Sequence, residues 1–389
     1  MKVFRKVFKW TIGFFLVFIL YIIGCIVYGT ATDFQPPEVI PIVATTPTSA
    51  TAGDTIRKSK LNFLDWNIGY GGLGAKTDFF YDGGHFFFSG NKMIRSSQEL
   101  VQEYVTGITE FVQNKPADFV LLQEVDRGSK RSYYTNEYEK IAKLLPRHTP
   151  SFAANFVVKR VPIPICEPWQ VMGEMHSGLA TYSRYTPAET VRYQFPGEYN
   201  WPNRIFHLDR CMSVTRLATS HPDGKQLVVI NTHNSAYDGG KLKQQEMDYF
   251  KKFVLAEYAK GNYVVVGGDW NQSPPNEPFD RISSTFGIPT DSTYNMGSIK
   301  PDFMPEGWQW IYDPNVPTNR KVTEKLDYGK TFMTLIDYYL LSPNIKATKI
   351  EGINLKFAHA DHNPVYMEVE LQDWESAAKT VALDSLVVE

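Results

Sequence analysis

Six apolar runs in this 389-residue chain end or break at a side chain able to bind a metal ion or move a proton. LDWN ends at Asn67, LLQE at Glu124 and VVINTH at His233. YVVVGGDWN carries Asp269 and Asn271, Asp337 interrupts LIDYYLL, and the pair Asp361-His362 sits in ADHNPV. Short runs rich in Val, Ile, Leu and Tyr read as β-strands. One polar residue after a strand is ordinary turn chemistry. Six in order, with an Asp-x-Asn and an Asp-His pair among them, call for strands whose polar ends meet at one edge.

The remaining pattern supplies the layers around those strands. Ser96 to Lys115 carries a helical stripe of Leu100, Tyr104, Ile108 and Phe111, and Lys241 to Ala259 reads as a second amphipathic helix. Further strands are expected at 178–183, 213–217, 335–341 and 364–371. Strands alternating with helices imply helices packed over sheets. No repeat period and no second domain boundary is visible. A 43% hydrophobic fraction is enough for a full core, and 21% charged residues argue against disorder.

The N-terminus has a different character. Trp10 to Tyr28 contains no charged residue, and at 1.5 Å per residue it reaches roughly 28 Å, close to a bilayer's hydrocarbon core. Lys2, Arg5, Lys6 and Lys9 precede it, while Asp33 and Glu38 follow, so the positive-inside rule places the body outside the cytoplasm. The expected organisation is a basic tail (1–9), a transmembrane signal-anchor (10–28), a Pro/Thr-rich linker (29–60), a catalytic domain (61–372) and a C-terminal tail (373–389). A cleaved signal peptide and a lipoprotein acylated at Cys25 are the alternatives. Cys166 and Cys211 either pair or remain buried thiols. Formal net charge is −2, from 40 basic and 42 acidic residues. Setting aside the four basic residues of the tail leaves 36 against 42, an acidic body without the net positive charge of a nucleic-acid binder.

The motifs WN, QE, NTH, GDWN, the Asp of LIDYYLL and ADH, together with HSGLATYSRYTP from His176 to Pro187, resemble the endonuclease/exonuclease/phosphatase superfamily. That superfamily includes deoxyribonuclease I, abasic-site endonucleases, inositol polyphosphate 5-phosphatases and neutral sphingomyelinases. The resemblance spans Leu61 to Leu371. It implies an α/β fold, a four-layer αββα sandwich of two mixed β-sheets, here preceded by one transmembrane helix. It also implies metal-dependent hydrolysis of a phosphoester.

Residue chemistry agrees with this. Glu124 is the best single metal ligand, Asn67 would orient it or the ion, and Asp361 adds a direct or water-mediated ligand. An oxygen-only site suits Mg²⁺, with Mn²⁺ as a substitute. Asp337 and His362 read as a carboxylate–imidazole pair. His233 and Asn271 would bind the phosphoryl oxygens, and Asp269 would orient or deprotonate water. Whether Asp269 or His362 is the base stays open, with His362 favoured. His85, His148, His207, His221 and His359 lack partner spacing and read as packing or surface residues, and His176, near the central strand at 178–183, reads as a cleft-lining position without a catalytic role. Arg184 reads as structural, and Asp65 is expected to face solvent.

Two aromatic insertions, Gly69 to Gly90 and Gly307 to Arg320, carry few basic residues. Phe86 to Phe88 are expected to pack beneath their own loop, the alternative being an aromatic rim meeting a lipid surface. The expected function is a phosphodiesterase acting outside the cytoplasm on a phospholipid-type or small-molecule phosphoester by in-line attack of water. A membrane-anchored nuclease acting on DNA or RNA is the alternative, and a non-catalytic binding module ranks behind both.

Overall fold

Strands that read as continuous apolar runs are buried on both faces, and this sets the layering. In the computed structural model, which describes residues 2–43, 55–236, 240–291, 294 and 296–374, the chain opens with helix α1 (Lys2–Ala31) and edge strand β1 (Val39–Pro41). The body then begins with β2 (Lys60–Asn67), α2 (Gln98–Asn114), β3 (Phe119–Asp126), α3 (Glu137–Leu144), β4 (Thr149–Val161) and β5 (Gly173–Ser183). Next come β6 (Glu189–Gln194), β7 (Cys211–Ala218), β8 (Gln226–His233), α4 (Lys241–Ala259), β9 (Tyr263–Asp269) and α5 (Arg281–Thr285). The chain closes with β10 (Gln309–Ile311), β11 (Asn319–Arg320), β12 (Met333–Thr334), β13 (Asp337–Leu341), β14 (Ile345–Gly352) and β15 (Val365–Leu371).

One sheet has seven strands in the order β1-β6-β7-β8-β9-β13-β10, and the other has six in the order β14-β15-β2-β3-β5-β4. Both are mixed, with β2 parallel to β3 and β8 parallel to β9 among otherwise antiparallel pairs. Alternation sorts the side chains into layers. Phe63, Leu121, Val229, Val265 and Tyr339 meet between the sheets. Trp66, Val120 and Leu122 turn outward onto α2 and α3, while Val228, Val264 and Val266 turn outward onto α4. Helix α2 starts where Ser97 accepts the amide of Leu100, a side-chain N-cap.

Topology collects the polar strand ends. β2, β3, β8 and β9 all finish at one end of the sandwich. β13 and β15, antiparallel to β9 and β2, begin there. Asn67, His233, Asp269 and Asp337 therefore share that end, with Asp361-His362 just ahead of β15.

Three expectations change. Asp65 is fully buried rather than solvent-facing, because a period of two places it on the same inward face as Phe63 and Asn67. Phe86 to Phe88 are exposed, not packed under their loop: Phe80 already fills that space against Phe156, Val158 and Met175. The Pro/Thr segment is bound in part, since β1 pairs with β6 and Ile56 is buried beside Thr219. Pro47, Thr45, Thr46, Thr48 and Thr51 lie outside the described residues. Cys25, Cys166 and Cys211 are free thiols. Arg184 ties β5 to β3, its amide donating to the Asp118 carbonyl at 2.8 Å.

Candidate active site

Asp269 is the hub. Its Oδ2 accepts Asn67 Nδ2 at 3.0 Å and lies 3.5 Å from His233 Nε2 and 3.8 Å from His362 Nε2. Its Oδ1 accepts the amide of Asn271 at 2.9 Å. Asn271 adopts φ 50°, left-handed backbone that asparagine tolerates, and its Nδ2 donates to the Asn234 carbonyl at 2.9 Å. Buried Lys243 fixes the same turn from below by donating to the Asn271 carbonyl at 3.0 Å.

His362 Nδ1 lies 2.8 Å from Asp337 Oδ2, the expected pair. Burial pushes the imidazole down, but Asp337, Asp361 and Asp269 together outweigh it and hold His362 up at about 10. The other nitrogen, Nε2, is 2.9 Å from Asn319 Nδ2, whose Oδ1 accepts the Tyr294 hydroxyl at 2.9 Å; protonated His362 requires that amide to turn its oxygen to Nε2. His233 goes the other way: burial first, then Arg210 and His362, push it well below its ordinary value. One imidazole in the site is thus held protonated and the other neutral.

Glu124 and Asp361 make a second, oxygen-rich centre. Glu124 sits at φ 55° beside a register break in the β3–β5 pairing, and the break re-aims its side chain out of the strand pleat. Asn67 Nδ2 lies 3.4 Å from Glu124 Oε1, so one carboxamide touches both centres. Asp361 Oδ1 is buried without a hydrogen-bond partner, and burial with nearby Glu124 pushes its pKa up to about 7. Gly69, at φ 50°, allows the chain to pass close by, since a Cβ there would stand 2.6 Å from that oxygen. Two mutually repelling carboxylates with an orphaned oxygen fit a hard divalent cation. Asp269, Asp337 and His362 also present atoms within 4.8 Å of one another. There His362 Nδ1 already faces Asp337, so that trio suits proton chemistry better than ligation.

All eight residues singled out for the site, Asn67, Glu124, His233, Asp269, Asn271, Asp337, Asp361 and His362, gather at this one end. Several supporting residues carry no motif. Asn319 enters through segment 317–320, which pairs with 361–363. Arg131 stacks 3.6 Å over the Tyr70 ring and pairs through Nη2 with Asp126 Oδ1 at 3.0 Å, bracing the end of β3. Their partners are distant in sequence, and no local spacing could have announced them.

Residues 66–350 match the sequence profile of the Endonuclease/Exonuclease/phosphatase family. An endonuclease/exonuclease/phosphatase from Beutenbergia cavernae DSM 12333 superimposes with TM-score 0.50 at 16% identity, covering 81% of this chain and 72% of that one. The corresponding protein from Bacteroides vulgatus gives TM-score 0.47 at 15% identity, covering 81% and 100%. The human Nocturnin catalytic domain with bound sulfate gives TM-score 0.47 at 13% identity, covering 82% and 97%. No curated protein sequence matches significantly. The match covers well over half of the chain and includes every strand end that carries the site except Asp361-His362, so the chain belongs to the Endonuclease/Exonuclease/phosphatase family of phosphoester hydrolases.

Proposed function

We propose that this protein is a Mg²⁺-dependent phosphodiesterase that acts outside the cytoplasm on a phospholipid-type or other small phosphoester. The observation that carries the reading is the orphaned carboxylate of Asp361 beside Glu124, one carboxamide away from a hub of proton-handling groups. Glu124, Asp361 and Asn67 would hold the ion. When bound, Mg²⁺, or Mn²⁺ in its place, offsets phosphate charge and stabilises the leaving oxygen.

Asp269 positions the attacking water and takes its proton, being the carboxylate that faces both imidazoles. His362, kept protonated by Asp337, donates to the phosphoryl oxygens as charge builds on them. His233 and Asn271 line the same edge, and neutral His233 donates without adding charge. This assigns the base to Asp269, and the support is the high proton affinity that Asp337 gives His362. The extracytoplasmic placement rests on α1, which is long and apolar enough for a membrane span or a signal sequence, and on the basic residues ahead of it.

Glu124→Gln keeps the side-chain shape and removes a charge, so Mg²⁺ affinity by calorimetry and turnover should fall together. His362→Ala should lower turnover by about 10²–10⁴-fold with Mg²⁺ affinity retained. Unchanged metal binding in Glu124→Gln would sink the assignment. A panel of sphingomyelin, phosphoinositides, DNA and bis-p-nitrophenyl phosphate decides the substrate. Cleavage of plasmid DNA with no lipid turnover would favour a nuclease.

A further inference from the structure

The end of the sandwich that holds the catalytic groups is also the end from which α1 leaves. Gln194 at the end of β6, Cys211 at the start of β7 and Val39 at the start of β1 all lie there. Between them runs segment 195–210, and the last turns of α1 lie against it. A Cβ on Gly29 would stand 3.0 Å from Ile205 and 3.1 Å from Phe206. Trp201 Nε1 donates to Thr30 Oγ1 at 3.1 Å, and Arg204 pairs with Asp33 at 3.2 Å. Toward its N-terminus the helix passes Lys159 at Tyr28, then Arg160 at Cys25 and Tyr21. It therefore runs antiparallel to β4 and out past the tip of the β4–β5 hairpin.

That tip runs past the site end of the sandwich. Phe156 lies level with Ser177 and so with Asp126 at the end of β3. Arg160 is four residues further out, about 13 Å at strand rise. Beyond it, residues 162–172 join the first aromatic insertion through backbone hydrogen bonds. Ile165 N donates to the Phe86 carbonyl at 3.2 Å, and Cys166 N to the Phe87 carbonyl at 2.9 Å. The paired loops present Phe86, Phe87, Phe88 and Trp169 at 44, 59, 59 and 75% exposure. Behind them lie Arg95, Lys130 and Arg160, close enough that burial and the two arginines push the Lys130 ammonium down. Lys92 and Lys159 beside them pair with Asp78 and Glu174, and Glu167 bonds Ser89 on the paired loops, so the tip carries charges of both signs. Of the expected 10–28 span, Trp10 to Leu20 extends about 17 Å beyond Tyr21, and the stems of Lys9, Lys6 and Arg5 reach on toward the far interface.

We infer that the paired loops at Phe86–Phe88 and Trp169 dip into the outer face of the bilayer that α1 spans, so that the catalytic cleft opens toward the membrane. The anchor is bound to the body rather than tethered, which fixes this orientation. Aromatic rings suit the interface, where an amphipathic ring can keep its apolar body among the acyl chains. Because the site is recessed behind the loop tips, they must enter the interface before a headgroup phosphate can reach Glu124. The consequence for turnover rests on the phosphodiesterase reading, whereas the bilayer contact does not.

The test uses the full chain in nanodiscs of phosphatidylcholine and phosphatidylglycerol. Single fluorophores are attached at Phe87→Cys, Trp169→Cys or Lys260→Cys in a Cys25→Ser, Cys166→Ser background. Lys260 is exposed and precedes β9, at the far end of the sheet. Doxyl-labelled lipids should quench positions 87 and 169 several-fold more than 260, with aqueous iodide doing the reverse. Equal quenching at all three sites overturns the inference. Protection of 87 and 169 from both quenchers also overturns it, because it would mean a contact with another copy of the protein. The triple change of Phe86, Phe87 and Phe88 to Ser should lower turnover of vesicle phospholipid by roughly tenfold while sparing bis-p-nitrophenyl phosphate. Equal losses on both substrates would count against the inference. Depth quenching without hydrolysis of any phosphoester would overturn the functional reading and leave the bilayer contact standing.

Discussion

The tripeptide Asp-Trp-Asn occurs once in each sheet, and the two copies do different work. In 269–271 the Asp ends its strand and is ringed by Asn67, His233, His362 and the amide of Asn271. In 65–67 the Asn ends the strand, and Asp65 lies two residues deeper. There one carboxylate oxygen accepts Gln123 Nε2 at 2.8 Å and the other has no partner. Burial above all, with the nearby carboxylates of Asp337 and Asp269, pushes Asp65 well above the usual carboxylate range. The tryptophans, by contrast, act alike. Each turns to the outer layer and donates back to the strand segment carrying a site residue: Trp66 Nε1 to the His362 carbonyl, Trp270 Nε1 to the Tyr338 carbonyl, both at 2.9 Å. A two-residue offset from the strand end thus separates a hub carboxylate from a core acid pushed toward its neutral form.

The largest expected effect separates the two aspartates directly. Asp269→Asn is nearly isosteric but removes the charge that holds the water's proton, so turnover of bis-p-nitrophenyl phosphate should fall by about 10²–10⁴-fold. Asp65→Asn should stay within a few-fold of wild type, because a protonated acid and an amide present similar groups. Equal losses would break the comparison.

A smaller effect sharpens the role of the imidazole beside the working copy. Asp337→Asn leaves His362 buried with only Asp361 and Asp269 to oppose burial. Its pKa should then drop from about 10, as followed by NMR of the ring in metal-free protein. Stability moves with it. In wild type the contribution of the raised His362 is lost as pH rises from 6.5 toward 10, while burial holds Asp337 up at about 6, so the pair weakens again as pH falls through that value; the variant should show a smaller alkaline loss. The activity losses of His362→Ala and Asp337→Ala should be strongly non-additive, since Asp337 acts through the ring. A double-mutant loss equal to the product of the single losses would separate them.

Legibility followed the range of the interactions. The bounds expected for α4 match, and β3, β8 and β9 were placed within two residues, because their apolar periodicity is local. The convergence of the eight residues is legible because parallel β2–β3 and β8–β9 pairs put successive strand ends side by side. Asp65 is buried, not solvent-facing, because period two places it on Asn67's inward face. The exposed Phe86–Phe88 could not be read from the insertion alone. Phe79 and Phe80 share its composition, and only contact with β4 and β5 decides which rings are inside. Asn319, Arg131 and Lys243 reach the site across long sequence separations, where composition is silent.

The smallest effect is in stability, and it tests whether Asp65 is neutral. Unfolded, Asp65 titrates near 3.8; folded, its pKa lies well above that. Between those values the folded chain keeps a proton that the unfolded chain has released, so Asp65 lowers stability as pH rises through the window. Asn has no proton to lose, and its amide can face Gln123 Oε1, which has no hydrogen-bond partner. Asp65→Asn should therefore match wild type near pH 4 and exceed it near pH 8, with each ~1 kcal/mol gained raising the melting temperature by roughly 2–4 °C. Comparing the variant with wild type at each pH cancels the titration of other groups distant from Asp65. A variant less stable than wild type by the same amount at both pH values would show that Asp65 is charged in the fold, and the contrast between the two tripeptides would then lie in position alone.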